Sequence, residues 1–147
     1  MSNHESINKI LERLFADVLD IEEKCLGIGE FSDLSITEMH IINNIGVNKE
    51  RNMSNTAKDL RITSGTLTTA IDNLIKKGYV ERRRSEHDRR VVMIKLTEKG
   101  VAAYKSHEDF HKDLVSSALM QLDENEEQVF AKGLTNIDRF FRDKYKF

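Results

Sequence analysis

The chain has no proline, a single cysteine and only seven glycines in 147 residues. Without proline, long uninterrupted helices are open to it. One cysteine, Cys25, excludes an intrachain disulfide and fits a reducing compartment. No apolar run approaches the ~20 residues of a membrane span. The opening MSNHESINKI has no apolar core of a signal peptide. A cytoplasmic location with no membrane partner is therefore expected. What is present is ordinary for a soluble domain: 39% hydrophobic and 33% charged residues. The length suits one domain with a sizeable core.

The net charge of −2 conceals an uneven distribution. Residues 1–50 hold four basic and ten acidic side chains, net −6. Residues 51–99 hold twelve and six, net +6, and residues 100–147 hold seven and nine, net −2. A basic block between acidic flanks is the footprint expected for a polyanion; a solvated, salt-bridged surface would read the same way.

The apolar spacing predicts a first helix over about 4–26, with Ile7, Ile10, Leu11, Leu14, Val18, Ile21 and Leu26 on a helical period and Gly27 and Gly29 ending it. Ser35 or Thr37 opens a second helix, which stops at Gly46. Residues 48–51 read as a polar linker. Asn52 caps a short third helix and Thr63 a fourth, with Leu67, Ile71 and Leu74 as the buried stripe and Gly78 as the C-cap. Tyr79-Val80 and the run 91–96 read as strands, joined by a turn at 85–88. Thr97-Glu98 starts a fifth helix to about Leu122, and Asp123 caps a sixth. The expected fold is thus mainly α with a small β-wing: a winged helix-turn-helix with six helices. It is one domain over 1–147, with a DNA-binding lobe at about 34–97 and helical regions at about 1–30 and 98–147. Apolar residues remain on the terminal helices, at Ile7, Leu11 and Leu14 and at Ile137, Phe140 and Phe141. They serve either an internal core or a symmetric dimer interface. A two-fold homodimer would set two recognition helices about one DNA turn apart.

The fourth helix and the hairpin after it carry the chemistry. Threonine is a mediocre helix former, because its β-branch loses rotamer freedom. Four threonines within 63–69 need a reason. Hydroxyls at a helix N-terminus can bond phosphates or base edges, and threonine methyls can touch thymine methyls. Ser64, Thr66, Thr68 and Thr69 offer those groups, and Gly65 lets the backbone come close. As bare capping residues on a solvated face they would look the same, but an arginine hairpin follows: Arg82, Arg83, Arg84, Arg89 and Arg90. Alternation along a strand keeps these arginines from sharing one face. Asp88 can brace one guanidinium while another enters a narrow minor groove. Arg83 or Arg84 is expected at phosphate.

The run RITSGTLTTAIDNLIKKGYVERRRSEHDRRVVMIKLTEKG resembles the winged helix of MarR-type transcription regulators, whose wing carries a D-x-R pattern matched here by Asp88 and Arg90. The resemblance covers essentially the whole chain. DLSITEMHIINNIG, the downstream FHK and KGLTNI are similar to the branch of that family that represses bacterial type II fatty-acid synthesis genes. It implies a homodimer on a palindromic, AT-rich double-stranded operator, with long-chain acyl-acyl carrier protein as corepressor. It places Ser64, Thr66, Thr68 and Thr69 in the major groove and Arg90, then Arg89, in the minor groove, with Asn73 a weaker contact.

Three further features compete. His107-Glu108-Asp109-Phe110-His111 matches the H-E-x-x-H of zinc peptidases. No motif supplies a third ligand or a substrate cleft, and no enzyme is expected. No cofactor is required by the DNA-binding reading. Zinc-sensing MarR relatives imply a metal set of His40, His107, His111 and Glu22 or Glu23, which serve equally well as polar residues around a pocket. Cys25 reads as a small buried or half-buried residue, with a redox role like that of peroxide-sensing MarR relatives as the alternative. A ligand pocket is expected where the first, second and fifth helices meet, with Leu19, Leu26, Ile36, Met39, Ile42 and Tyr104 as apolar candidates that core packing would also explain.

Overall fold

A computed structural model describes residues 1–146. The elements run α1 (Asn3–Ile28), α2 (Ile36–Ile45), β1 (Arg51–Asn52), α3 (Met53–Leu60), α4 (Ser64–Lys76), β2 (Val80–Arg84), β3 (Val92–Leu96), α5 (Glu98–Leu119) and α6 (Glu124–Tyr145). The chain separates into two compact units, Met1–Phe110 and His111–Phe147.

Local chemistry explains the helix starts. Ser2, Ser35 and Asp123 are N-caps, and Glu5, Glu38 and Glu126 three residues later return the bond to the cap backbone. Each such box satisfies two of the amide donors that a helix start leaves orphaned. Asn52 and Thr63 cap α3 and α4 with side-chain oxygens alone.

In the first unit α2, α3 and α4 stack around one core. Leu67, Ile71 and Leu74 of α4 are wholly buried with Ile42 and Ile45 of α2 and Ile94 of β3. Burial of each such side chain contributes ~1.5–3 kcal/mol, so α4 is anchored on its inner side. The sheet order is β1-β3-β2, antiparallel throughout, with Val80 opposite Leu96 and Arg84 opposite Val92.

Some boundaries differ from the sequence reading. The end of the stretch read as a polar linker is strand β1: Arg51 pairs with Ile94 and Asn52 with Met93. Two residues carry no periodic signal, so only the partner strand reveals them. The C-cap of α4 is Lys77, not Gly78. Gly78 follows at φ 86°, its amide bonding Ile75 O and that of Tyr79 bonding Leu74 O. This paired closure needs the left-handed backbone that glycine adopts without strain. The hairpin connection spans 85–91 rather than 85–88, because Ser85 N bonds Val91 O across its base. Helix α5 stops at Leu119, short of Leu122, where Gln121 turns to φ 71°.

The second unit comprises the end of α5 and α6. No residue of α6 is buried, and Phe140, Phe141 and Tyr145 form a ring cluster with centroids 5.8–6.3 Å apart. In the first unit α1 likewise leaves Ile7 and Leu14 about half exposed, with Leu11 half-buried. Among the described residues, no helix is long and apolar enough to cross a membrane.

Candidate nucleic-acid interface

The outer face of α4 carries the predicted residues. Ser64, Gly65, Thr66, Thr68, Thr69 and Asn73 are all exposed, opposite the buried leucine-isoleucine stripe. Their hydroxyls are already engaged in part. Thr68 Oγ1 donates to Ser64 O at 2.8 Å, Thr69 Oγ1 to Gly65 O at 3.1 Å, and Thr63 Oγ1 to Thr66 Oγ1 at 2.8 Å. With their protons spent on the helix, Thr68 and Thr69 present an acceptor oxygen and a methyl group. Those groups suit an amino donor on adenine or cytosine, or the methyl of thymine.

Between this face, the start of α3 and the hairpin lies an open cleft of about 550 Å³. Asn52, Ser54, Thr68, Arg82, Arg84 and Arg90 are among its walls. Arg82 and the α3 residues join the set only in the fold. Asn52 and Ser54 look like capping residues in sequence, and Arg82 looks like one arginine of three.

Four of the five hairpin arginines have a brace of their own. Arg82 bonds Asp72 of α4 at 2.7 Å. Arg83 grips Glu50 with two nitrogens, at 2.7 and 2.5 Å. That fork holds the Glu50 carboxyl below the usual carboxylate range and raises the guanidinium further. Arg83 is therefore partly neutralised, a poorer phosphate ligand than the sequence suggests. Arg84 donates to Arg89 O at 2.8 Å, which ties strand to tip. Arg90 bonds both Asp88 oxygens, at 3.1 and 3.2 Å, yet its side chain is 91% exposed. Asp88 also accepts from the Arg90 amide, and these contacts, the side-chain one first, hold its carboxyl below the ordinary range. Arg89 and Arg90 thus sit on the projecting tip, with Arg90 pre-oriented and still open to an anion.

A second cluster lies in the first unit. The Glu22 carboxylate, buried on α1, has Oε1 3.0 Å from His40 Nε2 of α2 and 3.1 Å from His107 Nε2 of α5. His111 follows one turn after His107 along α5, at the start of the second unit, and Glu23 is exposed on α1. Beside Glu22 is a cavity of about 60 Å³, bounded by Cys25, Leu26, Phe31, Met39 and His107 among others. Of the apolar pocket candidates, Leu26 and Met39 line it. Ile42 is wholly buried in the core, Leu19 is exposed, and Ile36 and Tyr104 pack against the core from outside. Cys25 is exposed at the cavity's edge rather than buried or half-buried, because the end of α1 that carries it packs only in part against the core.

Comparison with known proteins gives the following. The family model described as "Transcriptional regulator SarA/Rot" matches residues 28–106. The crystal structure of Streptococcus pneumoniae FabT in complex with DNA is similar with 44% identity and a TM-score of 0.87, over 96% of this chain and 99% of that one. The reduced form of MarR from E. coli superposes with a TM-score of 0.63 at 27% identity, over 86% and 95% of the two chains. The HTH-type transcriptional regulator YfiV of Bacillus subtilis is 32% identical over 77% of this chain and 74% of its own length.

Proposed function

The chain belongs to the winged-helix transcription regulators of the MarR and SarA/Rot type, and within that family we propose that it is a homodimeric repressor of fatty-acid synthesis genes with long-chain acyl-acyl carrier protein as its corepressor. It is a DNA-binding regulator and not an enzyme, as its relatives are. The H-E-x-x-H match is therefore a coincidence of spacing on α5. The observation that carries the fatty-acid reading is the 44% identity to FabT along nearly the whole of both chains.

In this reading α4 enters the major groove of a palindromic, AT-rich operator through Ser64, Gly65, Thr66, Thr68 and Thr69. Asn73 lies further along and contributes less. Arg90, braced by Asp88, enters the adjacent minor groove, where a narrow AT-rich track concentrates negative potential. Arg84 and Arg89 meet phosphate, and Arg83 joins them only by giving up Glu50. Two-fold symmetry sets two such units about one DNA turn apart. Ile7, Leu11 and Leu14 in the first unit and Ile137, Phe140 and Phe141 in the second are exposed or half-buried apolar residues, which a second copy would cover.

The cavity beside Glu22 bears on the effector. At about 60 Å³ it is far below the ~300–1,000 Å³ of a ligand pocket. An acyl chain therefore needs a wider conformer, and by binding that conformer it shifts the population. Titrating metal-stripped protein with acyl carriers of increasing chain length, with operator affinity as the readout, tests this. Affinity should climb with chain length, each buried methylene contributing up to ~0.8 kcal/mol, until the cavity is filled. No response to any acyl carrier would sink the corepressor reading.

The Glu22 cluster favours a second reading, zinc. Its 3.0 and 3.1 Å separations are hydrogen-bond lengths, with a proton between oxygen and nitrogen. A zinc ion would displace those protons and sit ~2.0–2.2 Å from each ligand, more weakly in acid. A sub-micromolar zinc response abolished by His107→Ala, without any acyl response, would establish zinc in place of the acyl chain.

A further inference from the structure

The recognition helix is gripped at its far end by polar contacts that the DNA-facing residues do not explain. Residues 77–79, where α4 passes into β2, are held from two sides. From the side of α2, Lys77 Nζ bonds the buried Glu38 carboxylate at 2.8 Å and also the Asp33 carbonyl. Tyr79, wholly buried, sends its hydroxyl to Asp33 Oδ1 at 2.6 Å. From the side of α5, Thr97 Oγ1 bonds Gly78 O at 2.6 Å and Lys99 Nζ bonds Lys77 O at 2.8 Å. Lys99 Nζ also lies 4.3 Å from the Tyr79 ring centre. The Tyr79 ring meets the edge of Phe31, with centroids 6.2 Å apart and planes at 66°. Phe31 in turn lines the cavity beside Glu22 and His107.

We propose that Tyr79 and Asp33 are positioning residues for operator recognition, their hydroxyl–carboxylate contact fixing the tilt of α4 and Phe31 tying that tilt to the cavity beside Glu22. The apolar stripe of Leu67, Ile71 and Leu74 anchors α4, but apolar burial is non-directional and tolerates rotation. Directional bonds at the helix end do not. The helix has 13 residues and is ~20 Å long, so a tilt of ~5° about its C-terminal end moves Ser64 by ~2 Å. Such a shift breaks a base-edge hydrogen bond and leaves phosphate contacts from flexible arginines largely intact. The lock therefore acts on sequence discrimination more than on general affinity for DNA. Burial, followed by the Asp33 bond, raises the Tyr79 hydroxyl above its ordinary pKa, so the donor proton stays in place across the working pH range. The inference rests on DNA binding alone and stands whichever effector fills the cavity.

The test uses the full-length chain and two duplexes, a palindrome selected from random sequence by the wild-type protein and a scrambled duplex of the same composition. Tyr79→Phe should lower affinity for the selected palindrome at least fivefold and leave the scrambled duplex within twofold. Asp33→Ala, at an exposed position, should do the same, with its melting temperature measured alongside because the buried Tyr79 hydroxyl loses its acceptor. Asp33→Asn keeps an acceptor oxygen at that place and should stay within twofold of wild type on both duplexes. Phe31→Leu should act in the same direction, and combining it with Tyr79→Phe should cost less than the sum of the two. The proposal is overturned if Tyr79→Phe and Asp33→Ala bind the palindrome within twofold of wild type. It is equally overturned if they lose both duplexes in proportion, which would make the contact a matter of general stability.

Discussion

Replacing Gly100 by alanine should destabilise this protein, against the usual direction for a helix. In an open helix position the change gains ~1 kcal/mol, because alanine is the better helix former. Gly100 is in the first turn of α5, where its amide bonds the Thr97 hydroxyl at 3.1 Å. A Cβ added there would lie 2.1 Å from the Tyr79 carbonyl oxygen and 3.1 Å from Leu96 Cβ. The first obstacle is backbone and cannot swing aside. Relief requires α5 to back away from the α4–β2 junction by about 1 Å, an overpacking change worth ~1–3 kcal/mol or more. Set against the propensity gain, a net loss of up to ~2 kcal/mol is expected, which at ~2–4 °C per kcal/mol for a chain of this size is a fall in melting temperature of up to ~8 °C. Calorimetry at one fixed protein concentration measures it, since the proposed dimer would make the midpoint concentration-dependent. The same retreat loosens Thr97 and Lys99 from residues 77–79, so operator affinity should fall as well. A Gly100→Ala protein that melts at or above the wild-type temperature would refute the packing argument.

Gly65→Ala is the complement: nothing lies within 4 Å of its added Cβ. It should raise the melting temperature slightly, by up to ~1 kcal/mol of stability, and weaken operator binding if the backbone there approaches DNA; unchanged operator affinity would remove Gly65 from the interface. Thr68→Ser discards the methyl and keeps the hydroxyl, whereas Thr68→Val does the reverse. On a panel of single-base operator variants the serine change should blunt discrimination at a thymine and the valine change at a base offering an amino group, each by ~1–3 kcal/mol, and identical profiles would contradict the assignment. The Asp88 carboxyl has a depressed pKa in the fold, so its brace on Arg90 is complete above the ordinary carboxylate value of ~4 and is lost as pH falls through the lower folded value. The Arg90 Nε–H resonance followed against pH should change only below ~4, and a midpoint above that value would show that the brace does not form.

The sequence carried much of this molecule because its signals are local. Capping residues at Ser35, Asn52, Thr63 and Asp123, and the apolar stripe of Leu67, Ile71 and Leu74, are one-dimensional patterns with one-dimensional causes. What stayed hidden depends on partners distant in the chain. Strand β1 exists only because Ile94 and Met93 pair with it. Arg83 reads as a phosphate ligand until Glu50, 33 residues earlier, is seen to hold it. Arg82 and Ser54 become neighbours of Thr68 only across the cleft. The histidines and the pair Glu22 or Glu23 were visible, but not which of the two carboxylates would lie between His40 and His107. A ligand pocket was expected where the first, second and fifth helices meet; the cavity of about 60 Å³ beside Glu22 and the Phe31–Tyr79 contact at its edge are matters of packing, which composition cannot show.

The central claim is that α4 and the wing tip read the operator together, and Arg90→Ala tests it most directly. Affinity of wild type and variant should be measured on one palindrome whose flanks, where the wing tip lands, are either AT-rich or GC-rich, between 50 and 200 mM salt. Wild type should prefer the AT-rich flanks and lose ~10³-fold or more over that salt range if six or more phosphates are neutralised. Arg90→Ala should bind more weakly, respond less steeply to salt and no longer distinguish the two flanks. If the variant stays within twofold of wild type and keeps its preference for AT-rich flanks, the wing tip does not enter the minor groove and the account of this interface is wrong.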